Sequence, residues 1–333
     1  MTTVTEIHPT HAWQRSMRDG IATVRELLEI VQVDANCIDA MQPAAGEFPL
    51  RVPRSYAARM RKGDPADPLL LQVLPLHAER MDVPGFAHDP LRETGLANQG
   101  VLKKYRGRAL LVTTPACPVH CRYCFRRHFP YADQVAARDR WEPALRTLRG
   151  MTDVTEVILS GGDPLSLTNL WIGELLHLIE GLGHIDTVRF HTRFPIVLPE
   201  RVDHGILTLL STNQLRTVMV VHCNHANEID SSVRAALEAV ARTETVLLNQ
   251  SVLLKGINDN ADRLESLSRA LFSCGVLPYY IHLLDPVRGA AHFDVPASRG
   301  TELIQELRCR LPGYLVPQLV REEPGQPGKT AIG

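Results

Sequence analysis

Hydrophobic positions recur at helical spacing from Trp13 to Val31. Trp13, Met17, Ile21, Val24, Leu28 and Val31 share one face there, which predicts an amphipathic helix. A stretch punctuated by Pro43, Pro49, Pro53, Pro65, Pro68, Pro75, Pro84 and Pro90 follows and reads as loop-rich. From Ala109 the pattern changes to short apolar or β-branched runs separated by helical segments. The runs are Ala109–Thr113, Glu156–Ser160, Thr187–His191, Arg216–His222, Val246–Val252 and Tyr279–Leu284. Between and after them, helical periodicity covers Trp141–Leu148, Trp171–Ile179, Pro199–Leu210, Ser232–Ala241, Ala261–Phe272 and Arg299–Arg310.

Six strand–helix repeats of this length predict a parallel sheet with right-handed crossovers, an α/β chain. The count falls short of the eight units of a full barrel. It predicts a partial (β/α)6 barrel, with a doubly wound open sheet as the competing architecture. The expected organisation is a helical, loop-rich segment over 1–100, a barrel core over 101–320 and a short C-terminal tail over 321–333.

Chemically loaded residues cluster just past the expected strand ends. Cys117 follows the first run and Ser160-Gly161-Gly162-Asp163 the second. His191 and Arg193 end the third, His222 ends the fourth, Gln250 lies in the fifth and Asp285 follows the sixth. The C-terminal strand ends of a parallel barrel form one mouth, so six segments point at one site.

Composition narrows the function classes. The 333 residues are 44% hydrophobic, and 36 Lys plus Arg balance 37 Asp plus Glu, so no basic excess points to nucleic acid. The N-terminus lacks a charged and then apolar leader, and no apolar run approaches the ~18 residues of a membrane span. Seven cysteines, three of them within eight positions, speak for a reducing cytoplasm and a metal or redox site rather than a disulfide framework.

Cys117, Cys121 and Cys124 have C-x3-C-x2-C spacing. Three thiolates on one loop hold three irons of a [4Fe–4S] cube and leave the fourth without a protein ligand, open to chelation by S-adenosylmethionine (SAM). Zinc is the rival, yet a structural zinc site needs four protein ligands, and beyond His120 or His128 no second pair is in sight. Cys37, Cys274 and Cys309 read as isolated, buried small hydrophobes, and Cys223 as a packing residue. The Gly161-Gly162 turn lets backbone amides approach a ligand such as the SAM amino group. Pro324-Gly325-Gln326-Pro327-Gly328-Lys329-Thr330 resembles a phosphate loop only superficially, since Glu323 stands where that motif needs glycine. On spacing alone, Lys329 is a solvated tail charge.

The run Cys117-Pro-Val-His-Cys-Arg-Tyr-Cys-Phe-Arg-Arg, with Ser160-Gly-Gly-Asp, Asn249-Gln-Ser-Val-Leu-Leu, Pro278-Tyr-Tyr-Ile and Pro324-Gly-Gln-Pro-Gly-Lys-Thr, resembles the lysine 2,3-aminomutases over nearly the whole chain. Leu50-Arg-Val-Pro-Arg-Ser, Phe125-Arg-Arg-His-Phe-Pro-Tyr and Leu284-Asp-Pro-Val-Arg-Gly-Ala-Ala-His-Phe resemble most closely the bacterial branch that β-lysylates elongation factor P.

The resemblance implies a radical SAM isomerase that moves the α-amino group of L-lysine to the β-carbon, giving β-lysine in the R form. It implies a [4Fe–4S] cluster, SAM and pyridoxal 5′-phosphate (PLP), with Lys329 as the PLP lysine. Lys104, Arg108 and Gln250 would surround the PLP phosphate, Ser160 to Asp163 would serve SAM, and His222 and Asn224 would line the SAM or PLP pocket. Arg126 would take the substrate carboxylate, and Asp285 with Glu322 its distal ammonium. Two positions depart from the mutases, which have arginine at Lys104 and aspartate at Glu322. The mutases also continue past the tail with a zinc-binding, tetramer-supporting segment, so that assembly is not expected here. Implied partners are a flavodoxin or ferredoxin as electron donor, and elongation factor P with its lysyl ligase. The alternatives are an aminomutase for another amino acid such as glutamate, and a non-catalytic iron–sulfur or zinc protein.

Overall fold

The computed structural model describes residues 12–44, 47–95, 97–131, 135–137 and 141–333. Ten strands form one sheet in chain order: β1 (Ala97–Asn98), β2 (Val101–Tyr105), β3 (Arg108–Thr114), β4 (Glu156–Gly161), β5 (Thr187–Thr192), β6 (Arg216–Val221), β7 (Val246–Val252), β8 (Leu277–His282), β9 (Gln318–Arg321) and β10 (Thr330–Ala331). From β3 to β9 every neighbouring pair is parallel, while β1, β2 and β10 are antiparallel additions at the two edges. A doubly wound sheet reverses its strand order at a switch point. This one never does, so the chain winds in one sense as a partial barrel.

The six expected runs are β3 to β8, and β9 adds a seventh parallel strand. Helices α1 (Ala12–Arg18), α2 (Val24–Val31), α3 (Arg54–Ala57) and α4 (Pro68–Leu71) precede the sheet. Between its strands and before β9 run α5 (Glu142–Arg149), α6 (Asn169–Glu180), α7 (Phe194–Val197), α8 (His204–Thr212), α9 (Ser231–Ala241), α10 (Ala261–Phe272) and α11 (Ala297–Arg310). Capping side chains fix many of the starts. Thr23, Asp67, Thr168, Asp203, Asp230 and Asn260 each accept a backbone N–H of the first turn.

The helix expected over Trp13–Val31 is two helices, α1 and α2. Ile21 breaks away to exchange backbone hydrogen bonds with Val52, and Thr23 then caps a new start. The apolar face survives the break, because Trp13, Ile21, Val24, Leu28 and Val31 all enter the core. The helix expected over Pro199–Leu210 is likewise a short turn at Pro199–Arg201 followed by α8. Trp13 packs edge-on against Phe194 of α7, and one hydrophobic cluster joins the leading segment to β3–β7. A second cluster lies between β8, β9, α10 and α11, through Ile281, Leu319, Leu264 and Leu303. No helix among the described residues is long and apolar enough to cross a membrane.

Alternation along the strands aims the polar side chains. Arg189 and His191 on β5, and Gln250 and Val252 on β7, sit two apart and share one face of the sheet. That face lines the main cavities.

Candidate active site

Two adjoining chambers lie within the barrel, the first at the C-terminal ends of the strands and the second reaching deeper, to the start of β3 and the middle of β4 and β5. The first is walled by Cys117, Cys121, Cys124, Gly161, Gly162, Asp163, Asn224, His282 and Asp285. The second is walled by Glu93, Tyr105, Arg108, Arg189, Glu322 and Lys329. Phe125, Arg126, Ser160, His191, His222 and Gln250 belong to both.

The cysteine loop leaves β3 and is held from two sides. On one, the amides of Gly162 and Asp163 donate to the carbonyls of Thr114 and Ala116 at 2.7 and 2.8 Å, and Ser166 Oγ donates to Ala116 at 2.9 Å. On the other, the amides of His120 and Arg122 reach the carbonyls of Arg51 and Gln72, each at 2.9 Å. The Arg122 side chain makes a buried bidentate pair with Glu79 at 2.8 and 2.6 Å.

Cys117, Cys121 and Cys124 are free thiols; of the three other cysteines expected to be buried, Cys274 is, whereas Cys37 and Cys309 are exposed. Burial pushes Cys124 up to about 11 and Cys117 well above the ordinary thiol range. Such groups deprotonate when a metal supplies the compensating charge. Among the described residues, no three His, Cys, Asp or Glu side chains are placed to hold a single metal ion. Thiolates that each bind a different iron of a cube need not converge on one point, so the donor set fits a [4Fe–4S] cluster.

The glycine pair lets two backbone segments meet at the wall of the first chamber. A Cβ on Gly162 would lie 2.4 Å from the Ala116 carbonyl oxygen, and Gly161 has φ +115°. These glycines let the β4 turn press against the cysteine loop, and the Gly162 and Asp163 amides are spent on that contact. Asp163 accepts from Thr192 Oγ1 and the Arg193 amide, each at 2.7 Å, and from the Leu165 amide at 3.1 Å. Burial lifts its carboxyl to about 6, against the pull of those bonds. Ser160 is the residue of the turn that meets Arg126, accepting from Nη1 at 2.9 Å.

Lys329 lies just before β10. Its Nζ is 3.1 Å from Nε2 of His282, 3.3 Å from Oε2 of Glu322 and 5.6 Å from the ring centre of Tyr280. Far from a solvated tail charge, it reaches a buried wall. Asp285 and Glu322 both act on the phenol of Tyr105, which burial and these carboxylates push up from its ordinary value. The Arg108 guanidinium stacks on Tyr105 at 4.7 Å, with its Nε buried and unbonded. Nε2 of both His191 and His222 is buried and unbonded too. Buried polar atoms without partners mark a ligand position, and a lysine beside such donors fits PLP. Lys104 lies in β2, on the hairpin partner of β3; its side chain falls outside the described part of the molecule.

Burial lowers His222 to about 3 and places His191 and His282 well below the ordinary imidazole range, so all three rings are neutral. Asn224 is committed to the wall. Both its amide hydrogens are used, toward Gln72 at 2.9 Å and Tyr123 at 2.6 Å, and its Oδ1 accepts from the Val252 amide at 2.9 Å. The same buried network contains Arg193, which donates to the Cys121 sulfur, to Gln72 at 2.8 Å and to Glu228 at 3.0 Å.

Glu93, Tyr105 and His282 are site residues absent from the sequence reading. His282 ends a parallel strand as His191 and His222 nearly do, so the strand-end rule extends to it. Glu93 sits in the proline-punctuated stretch, where no periodicity points inward.

Among proteins of known name, this chain is 44% identical over 321 residues to an L-lysine 2,3-aminomutase of Escherichia coli, covering 96% of this chain and 94% of that one. An L-lysine 2,3-aminomutase of Haemophilus influenzae is 41% identical over 319 residues, covering 96% and 94%. That of Clostridium subterminale is 31% identical over 322 residues, covering 96% and 77%. Among solved structures, a radical SAM methyltransferase from Sphaerobacter thermophilus overlaps 66% of this chain and 68% of its own, with TM-score 0.48 and 18% identity. No protein-family model matches. The cysteine chamber, the lysine chamber beside it and these end-to-end identities together show that the chain belongs to the lysine 2,3-aminomutase family of radical SAM isomerases.

Proposed function

We propose that this chain converts L-lysine to β-lysine with a [4Fe–4S] cluster, SAM and PLP. The observation that carries the reading is the common wall. Arg126 stands between the cysteine chamber and the lysine chamber, and Asp285 and Glu322 converge on Tyr105. A cation at one end and two carboxylates at the other match the charges of lysine, whereas the distal carboxylate of glutamate would meet repulsion there.

When bound, the cluster and SAM supply the radical, and PLP carries and stabilises the migrating amino group. Cys117, Cys121 and Cys124 would hold the cluster, Lys329 would hold PLP, and Arg108, Gln250 and Lys104 would serve its phosphate. Ser160 and the β4 turn, with His222, border the SAM side. Arg126 takes the substrate carboxylate, and Asp285 and Glu322 take its distal ammonium. The neutral rings of His191, His222 and His282 offer hydrogen bonds without adding charge.

The finer reading is the R product, delivered in the cytoplasm to elongation factor P through its lysyl ligase, with flavodoxin or ferredoxin as electron donor. It is supported by the resemblance of the stretches from Leu50, Phe125 and Leu284. Incubating the reconstituted, reduced protein with SAM, PLP and L-lysine, followed by chiral analysis, tests both levels. Recovery of (R)-β-lysine is expected. A protein that keeps its iron but leaves lysine unchanged would belong to the non-catalytic alternative.

A further inference from the structure

Arg126 is clamped on one edge. Its Nε and Nη2 donate to the two oxygens of Glu93 at 2.7 and 3.0 Å, its Nη1 donates to Ser160 Oγ at 2.9 Å, and its guanidinium stacks on Phe125 at 4.8 Å. Arg126 and Glu93 are both buried, and the Glu93 amide is tied to Asp89 Oδ1 at 3.0 Å. A guanidinium has five N–H donors. Three are used, so one remains on Nη1 and one on Nη2, the pair of nitrogens at the far end of the group.

We propose that Glu93 is a positioning residue for substrate recognition. By taking the Nε side of Arg126, it fixes the plane and rotation of the guanidinium and directs the remaining end-on donors at the substrate carboxylate. Displacing Glu93 would strand a buried carboxylate, which is costly. The substrate therefore joins the pair instead of replacing it. This rests on the assignment of Arg126 to the substrate carboxylate.

The test is equilibrium dialysis of labelled L-lysine and of lysinamide, which lacks the carboxylate charge, against enzyme reconstituted with cluster, SAM and PLP. Glu93→Gln keeps the shape but turns one acceptor into a donor facing an N–H. It should weaken lysine binding about 10- to 100-fold, the scale of a displaced binding group. Lysinamide binding should stay within about threefold. Glu93→Asp, which keeps the charge and shortens the reach, should show the same selective loss to a smaller degree, and it serves where Glu93→Gln fails to take up its cluster. Unchanged or tighter lysine binding, or equal losses for both ligands, would overturn the proposal. Arg126→Gln separates the two levels: if it leaves the preference for lysine over lysinamide intact, the assignment of Arg126 itself fails, whatever Glu93 does.

Discussion

The ammonium of Lys329 and the carboxylate of Glu322 stand 3.3 Å apart, both largely buried. Glu322 thus already pairs with a primary alkylammonium, the same group that a lysine substrate carries at its far end. A lysine substrate would offer that carboxylate the same kind of partner. Glu322→Gln should therefore weaken lysine binding by about 10-fold or more, as expected for loss of a buried charge partner, while Glu322→Asp stays within about 10-fold of the parent. Norleucine, which lacks only the distal ammonium, should bind poorly to the parent and no worse to Glu322→Gln. A norleucine affinity equal to that of lysine would remove the distal carboxylates from the recognition scheme.

Borohydride treatment of the PLP-loaded protein, followed by peptide mapping, should find the cofactor on Lys329. Lys329→Ala should lose the visible PLP band and turnover, while its iron content stays at the parent level. Label on another lysine would refute the assignment.

Replacing Cys117, Cys121 or Cys124 with alanine should abolish the brown chromophore, since each thiolate serves its own iron. Cys274→Ala should keep it, because that buried thiol leans on the Ala270 carbonyl of α10. Iron analysis and the visible spectrum read both outcomes. Full iron content in the triple variant would exclude this loop as the cluster site.

Gly162→Ala places a methyl 2.4 Å from the Ala116 carbonyl oxygen. It should cost about 1–3 kcal/mol, the range for overpacking, and lower both Tm and cluster occupancy. Gly150→Ala, whose added carbon would lie 3.5 Å from its nearest neighbour, should do neither. Calorimetry of the two variants makes the comparison.

His222 gives the protein an acid sensitivity of defined sign. Its pKa is about 3 in the fold, because burial opposes the charged ring, with Arg193, Lys329 and Arg126 adding repulsion. The unfolded ring takes its proton near ~6.5. Between these values the unfolded chain binds more protons, so the contribution is present above about pH 6.5 and is lost as pH falls toward 3. His222→Gln should lose less stability than the parent between about pH 7.5 and about pH 5 in denaturant titrations. Parallel losses in the two proteins would contradict the buried neutral ring.

The parallel strands were readable because a strand covered on both faces is a near-continuous apolar run. Val157–Leu159 and Val218–Val221 are of that kind. The other four strands, β1, β2, β9 and β10, were not. In β2, Lys103 and Lys104 interrupt the run, β9 has four residues, and β1 and β10 have two each. Spacing identified the cysteine loop, since its ligands are local in sequence. The Arg126–Glu93 pair spans 33 positions and Lys329–His282 spans 47, and both are created only by tertiary packing. Lys329 stood out through resemblance alone; its Gly-Pro context carries no periodicity that marks it as buried.

The carbonyl oxygens of Thr114 and Ala116, taken up by the β4 turn, and the amides of His120 and Arg122, bound by the leading segment, give the cysteine loop its shape through protein contacts alone. A change at Arg51, at Gln72 or in the β4 turn therefore reaches the three thiols through the backbone that carries them, although none of those residues is a cysteine.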